Sequence, residues 1–253
     1  MTPGTSRNLW EEILCVYEHA RASGAAYKTD TNTEVLRDPH YDVEFVLRVA
    51  TALRDKPKPP KDSEKQKEWV NPFLPYEQQL WVRDLSESHT LLLNKFNVVA
   101  HHLICVTRTF KPQTDPLDAA DLGATWQAMQ AFPQGALAYF NCSVLALRSL
   151  PFQSYASVLP NKPSPEELEQ IFKRLKATFG PSAASNDGSP ESYNMILTST
   201  YMMLVPRSKE VYGPVAVNSM GFAGSMLVRS KAELDFIRNE SPMRILAAVG
   251  IPW

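Results

Sequence analysis

Three of the five histidines, His89, His101 and His102, share one short stretch with an adjacent amide and amine, Asn94-Lys95. Imidazole can serve as base, nucleophile or metal ligand near neutral pH, and an Asn-Lys pair offers donors to an anion. The pair precedes an apolar run rich in Val, Leu and Ile, so it stands where a buried strand begins and can line a site. A second stretch, Asn218-Ser219-Met220-Gly221-Phe222-Ala223-Gly224, puts two polar side chains before two glycines. There the backbone can approach a ligand closely. Plainer roles stay open: Asn94 can satisfy turn backbone, Lys95 can be a surface charge, and the glycines can serve a tight turn.

The adjacent histidines invite a metal site or a catalytic pair. If Val98 to Thr107 is a strand, His101 and His102 point to opposite faces and cannot both serve one site. No compact set of further His, Cys or carboxylate partners accompanies them, so both read as scaffold. Cys142 and Ser143 have no histidine beside them in sequence to act as base.

These residues need elements to hold them. Leu9 to Ala22 has a helical apolar stripe (Leu9, Ile13, Val16, Tyr17, Ala20) ended by Ser23-Gly24. Leu117 to Phe132 reads as a second helix, and a third starts at Ser164-Pro165-Glu166-Glu167 with a capping serine, an early proline and acidic first turn. Strands are predicted over 43–49, 79–85, 98–107, 136–142, 193–198, 201–205 and 215–217. A short helix over 231–239 and an apolar tail over 245–253 follow. Residues 54–68, rich in Pro, Lys, Glu and Ser, read as a mobile loop whose lysines are offset by Asp62, Glu64 and Glu68.

The chain has 253 residues, 44% hydrophobic and 21% charged, which suits a folded protein with a full core. A net charge of -1 supplies no broad positive field for a long nucleic acid, while leaving room for a small anionic ligand. Three cysteines with no Cys-x-x-Cys pair argue against a disulfide framework. No segment has the apolar length of a membrane span, and no leader is evident, so a cytoplasmic protein without membrane association is expected.

Several runs together resemble the ATP adenylyltransferases, or diadenosine tetraphosphate phosphorylases, of the galactose-1-phosphate uridylyltransferase branch of the HIT superfamily. They are Asn71-Pro72-Phe73-Leu74-Pro75-Tyr76; His89 to Leu92 with Asn94-Lys95-Phe96-Asn97-Val98; His102-Leu103; and Thr107-Arg108. Later come Tyr193-Asn194 with Leu197-Thr198, Val205-Pro206-Arg207-Ser208, Val217-Asn218-Ser219, and Gly221-Phe222-Ala223-Gly224. The resemblance covers nearly the whole chain, in family order. It implies an α+β, HIT-like fold in one domain over 1–253, a mostly antiparallel sheet with flanking helices. It also implies a two-step reaction: a histidine takes the nucleotidyl group of diadenosine tetraphosphate, and inorganic phosphate then accepts it, giving ATP and ADP.

In the family a Gly-Ala-Ser-Gln turn and a His-x-His-x-Gln strand supply the nucleophile and the donors aimed at the phosphoryl oxygens. Here Tyr139-Phe140-Asn141 resembles the strand that should precede them, yet Leu150-Pro151-Phe152 resembles a later family segment, and no histidine follows His102. A deletion between 142 and 150 is expected, removing a strand and the phosphate loop together. If anything fills the gap, it is Val144, Leu145 and Leu147. By resemblance, Asn94, Lys95, Asn141, Asn218, Ser219, Gly221, Phe222, Ala223 and Gly224 remain as nucleotide-facing positions, with no catalytic residue; Asn141 too can simply satisfy turn backbone. The implied ligands are diadenosine tetraphosphate, ATP, ADP and phosphate. No tightly bound cofactor is implied, and a divalent cation accompanying the nucleotide is compatible. The expectation is an inactive member of this family; the alternative is a non-catalytic nucleotide-binding or regulatory protein.

Overall fold

The computed structural model describes residues 8–28, 31–50, 73–113, 115–141, 151–179 and 192–252. The expected loop over 54–68 and the expected deletion between 142 and 150 lie outside them, as do Asn71 and Pro72.

Helix α1 (Leu9–Ala22) begins at a reciprocal cap: Asn8 accepts from the Glu11 backbone while Glu11 accepts from the Asn8 backbone. Its Ile13, Tyr17 and Ala20 are buried. After β1 (Tyr27–Lys28), β2 (Asn32–Arg37) and β3 (Glu44–Val49) come β4 (Trp81–Asp84) and β5 (His89–Leu93). Next are β6 (Phe96–Asn97), β7 (Leu103–Thr107) and helix α2 (Ala119–Gln130). Strands β4, β5 and β7 form an antiparallel sheet with β5 central and wholly buried. Ile13 of α1 and Ala128 of α2 pack with Val82 and Leu91 of this sheet, so the helical stripes read from the sequence become its cover.

The stretch from 89 to 108 thus holds three strands, β5, the two-residue β6 and β7. The predicted strand over 98–107 starts only at Leu103, because His101 takes a left-handed backbone (φ 55°) that a strand cannot continue through. Asn94 and Lys95 lie in the connection, which closes when the Asn94 N–H donates to the His102 carbonyl at 2.8 Å.

A second antiparallel sheet runs in the order β8 (Ala138–Asn141), β10 (Tyr193–Leu197), β11 (Tyr201–Pro206), β9 (Tyr155–Val158). Helix α3 (Pro165–Ala177) lays Leu168, Ile171, Phe172 and Leu175 onto it, against Tyr193, Met195 and Met202. Among the described residues β8 is an edge of this sheet, paired with β10 alone.

The C-terminal part holds β12 (Val211–Tyr212), β13 (Val215–Ala216), the short α4 (Ser219–Phe222), β14 (Ser225–Val228), α5 (Lys231–Glu240) and α6 (Pro242–Val249). The apolar tail is in large part a helix: Pro242 fits its first turn, and Met243, Ile245, Leu246 and Val249 are its buried side. They join Phe45 and Leu47 of β3, Phe152, and Met226 and Val228 of β14 in one core. Strand β14 pairs parallel with β3, tying the last part of the chain to the first. With six helices and mainly antiparallel pairing among the described residues, the architecture is α+β.

Candidate nucleotide site

Asn141 ends β8, and its partner across the sheet is Asn194 of β10. Asn141 Oδ1 accepts from the Ser219 N–H at 3.1 Å and lies 2.9 Å from the Ser219 hydroxyl, with Asn194 Nδ2 at 3.3 Å. Asn194 Nδ2 also donates to Ser219 Oγ at 2.9 Å. Both Asn194 and Ser219 are buried, so this network anchors α4 onto the end of the sheet. Among the described residues Asn194 Oδ1 has no hydrogen-bond partner, a cost of roughly 1–3 kcal/mol for a buried acceptor.

Asn218 precedes α4 in extended backbone and accepts from the Met220 N–H at 3.0 Å. Gly221 is buried, and a Cβ there would lie 3.1 Å from Val217 Cγ1. Gly224 has φ +83°, which favours glycine, and its carbonyl accepts from Val46 as β14 joins β3. Packing and a turn therefore account for both glycines in this structure.

A cavity of about 200 Å³ opens beside this network, lined by Asn141, Asn218, Gly221, Arg207, Glu210 and Arg229. Arg207 is only 4% exposed; it donates to the Val217 carbonyl at 3.1 Å and to Glu210 at 2.9 Å. The predicted positions Phe222, Ala223 and Gly224 instead line a second, mostly apolar cavity of about 280 Å³ with Phe45, Phe152 and Tyr201. The segment 218–224 thus separates two cavities.

Asn94 and Lys95 line neither cavity. Lys95 is paired with Glu77 at 2.9 Å. Asn94 accepts from the Phe96 N–H at 3.1 Å, which orients its amide so that Nδ2 faces His102 Nδ1, also at 3.1 Å. His102 Nε2 then meets the Tyr139 hydroxyl at 3.1 Å. Burial pushes His102 below its ordinary value and Tyr139 above. Tyr139 and Asn141 alternate on one face of β8, so this chain of bonds braces the strand that presents Asn141.

No histidine lines either cavity. His101 packs on Trp10 and Tyr17. His89 is buried between Ser88 Oγ at 2.9 Å and Asp121 Oδ1 at 3.0 Å. Burial alone would raise Asp121, but hydrogen bonds from His89 and Lys111 outweigh it and hold the carboxyl at about 2. Among the described residues no group of three or more His, Cys, Asp and Glu converges as a metal site, and no helix is long and apolar enough to cross a membrane.

Residues 2–159 match the family profile described as Ap4A phosphorylase N-terminal domain, and residues 148–252 match that of the ATP adenylyltransferase C-terminal domain. The chain belongs to the Ap4A phosphorylase family. Among curated relatives, diadenosine 5',5'''-P1,P4-tetraphosphate phosphorylase 2 of Saccharomyces cerevisiae is 26% identical over 292 positions, covering 90% of this chain and 89% of the relative. Protein APA1 of the same yeast is 23% identical, covering 93% and 92%. Yeast Ap4A phosphorylase Apa2, solved in complex with Ap4A, superimposes with a TM-score of 0.78 at 21% identity, over 98% of this chain and 99% of that one. Its complex with AMP gives 0.77, over 98% of each. An alignment of 292 positions exceeds the 253 residues available here, so it runs in part opposite gaps in this member of the Ap4A phosphorylase family.

Sequence reasoning thus chose Asn141, Asn218 and Gly221, which meet at the first cavity, but passed over Arg207, Glu210 and Arg229 beside them. Arg207 sits inside a quoted family run, Val205-Pro206-Arg207-Ser208, and a basic residue held in an apolar strand end was its available signal. Arg229 and Glu210 carry no such mark.

Proposed function

We propose that this chain binds adenine nucleotides of the diadenosine tetraphosphate class on a HIT-like scaffold in the cytoplasm and, in this form, does not transfer the nucleotidyl group. Family membership supports the ligand class: the yeast relatives are named for the tetraphosphate, and Apa2 was solved with it and with AMP. The observation that carries the reading is the meeting of Asn141 with Asn218 and Gly221, far from it in sequence, at one cavity that no histidine lines. Amide groups there can orient a ligand, but an amide is no nucleophile for a phosphoryl centre.

His89, His101 and His102 are engaged elsewhere, and in-line attack requires a nucleophile already placed. The shortened sequence after Cys142 supports the same conclusion. A divalent cation belongs to this reading only as a companion of the nucleotide phosphates, since the described residues gather no cation-binding cluster.

The test is formation of ATP from diadenosine tetraphosphate and phosphate by the purified chain. No ATP above background is expected, with the folded state checked by its thermal transition. Turnover proportional to protein concentration, and retained through purification, overturns the inactive reading.

A further inference from the structure

Ser88, His89 and Asp121 form one line of hydrogen bonds, and none of the three lines either cavity. Ser88 Oγ is 2.9 Å from His89 Nδ1, and His89 Nε2 is 3.0 Å from Asp121 Oδ1. An ionised carboxylate can only accept, so Nε2 carries the ring proton and Nδ1 offers its lone pair to Ser88. Asp121 Oδ2 accepts from Lys111 Nζ and from the Asp118 N–H, which fixes the carboxylate in the first turn of α2. Ser86 completes the arrangement. Its Oγ accepts from the Ser88 N–H at 3.2 Å and the His89 N–H at 3.1 Å, so its own proton is left for Ser88 Oγ, 3.2 Å away. Ser88 therefore accepts from Ser86 while donating to His89. His89 and Asp121 are buried, whereas Ser88 is exposed in the turn between β4 and β5. A shielded base behind an open hydroxyl is the order that a serine nucleophile requires.

We propose that Ser88 is the nucleophile of a second site, outside both cavities, which transfers acyl groups from small activated esters to water. Ser88 Oγ attacks the ester carbonyl carbon; its proton passes to His89 Nδ1 and on to the leaving oxygen as the bond to that oxygen breaks. Water then attacks the acyl-serine, His89 takes a proton from the water, and that proton returns to Ser88 as the acyl bond breaks. Asp121 keeps the ring in the required tautomer and offsets the charge of the imidazolium formed in each step. Because Ser88 lies on an exposed turn, leaving-group reactivity sets the substrate class and a long acyl chain has no recognition to gain. The proposal stands independently of the nucleotide reading.

The experiment treats the full chain, Ser88→Ala and His89→Gln with a fluorophosphonate probe and with p-nitrophenyl acetate. With the probe, Ser88 Oγ bonds to phosphorus, fluoride leaves, and the serine proton goes to His89. Peptide mass spectrometry is expected to place the adduct of the parent chain on Ser88. The reaction should be about a hundredfold slower in His89→Gln, the contribution of a placed general base. Release of p-nitrophenolate should fall in both variants, with the folded state checked by the thermal transition of each.

No adduct on Ser88, or one that forms as fast in folded His89→Gln, overturns the proposal. So does ester turnover that Ser88→Ala leaves unchanged. Should His89→Gln fail to fold, the exposed Ser88→Ala and the position of the adduct decide alone.

Discussion

His102 and Asp121 show how polar residues are used at this fold's seams. The Asn94 amide is oriented by Phe96, so it donates to His102 Nδ1, and the ring proton must sit on Nε2 facing Tyr139. A second proton on the ring would set two donors against each other. Burial agrees, lowering the His102 value from 6.5. Since the folded state favours the neutral ring, its contribution to stability is present above about pH 6.5 and declines as the pH falls toward the lower folded value. An NMR titration is expected to place His102 below 6.5; a value at or above that would show the bonding to be misassigned. Asp121 has the carboxylate version of the same sign: held at about 2 against an ordinary 3.8, it stabilises above the ordinary value and loses that effect as pH falls toward 2. Asp121→Asn should therefore lower Tm by about 5 °C at neutral pH, with the gap narrowing below pH 4. A gap that does not change with pH would contradict the ionic role. From the sequence, strand alternation was taken to part His101 and His102; they instead precede a strand, and the left-handed backbone at His101 parts them.

At the scale of elements, the sequence was most readable where periodicity was long. Helices α1 and α2 fall within two residues of their predicted ends and α3 starts at its predicted cap, because a helical stripe and its caps are local signals. Short strands such as β9 and β14 carry only four residues each and gain their identity from partners far away, which no local pattern reveals. Helix α6 was hidden because it is apolar on most sides and reads as a tail. The segment from Asn218 to Gly224 was found, and of the roles left open for its glycines a turn is the one Gly224 performs, carrying the chain into β14. Gly224→Ala places a side chain at φ +83° and is expected to cost about 1 kcal/mol in urea denaturation. Gly24→Ala, also at positive φ but remote from β14, is the comparison: a similar loss of stability, with nucleotide affinity reduced only in Gly224→Ala. Equal affinities in the two variants would separate this turn from the site.

For the whole molecule, the parallel pairing of β14 with β3 brings the C-terminal loop onto a sheet begun by the N-terminal part, and the Asn141–Ser219 contact adds a second tie. The site is thus a product of chain closure, legible as a set of family runs but not as a geometry. The edge strand β8 is where the family's nucleophile segment would be expected to continue. Titrating diadenosine tetraphosphate into the purified chain in the presence of phosphate, by calorimetry, tests binding and transfer at once. The account predicts a saturating binding isotherm and no sustained heat of turnover. Continuous heat flow accompanied by ATP, or no binding heat at all, would contradict it.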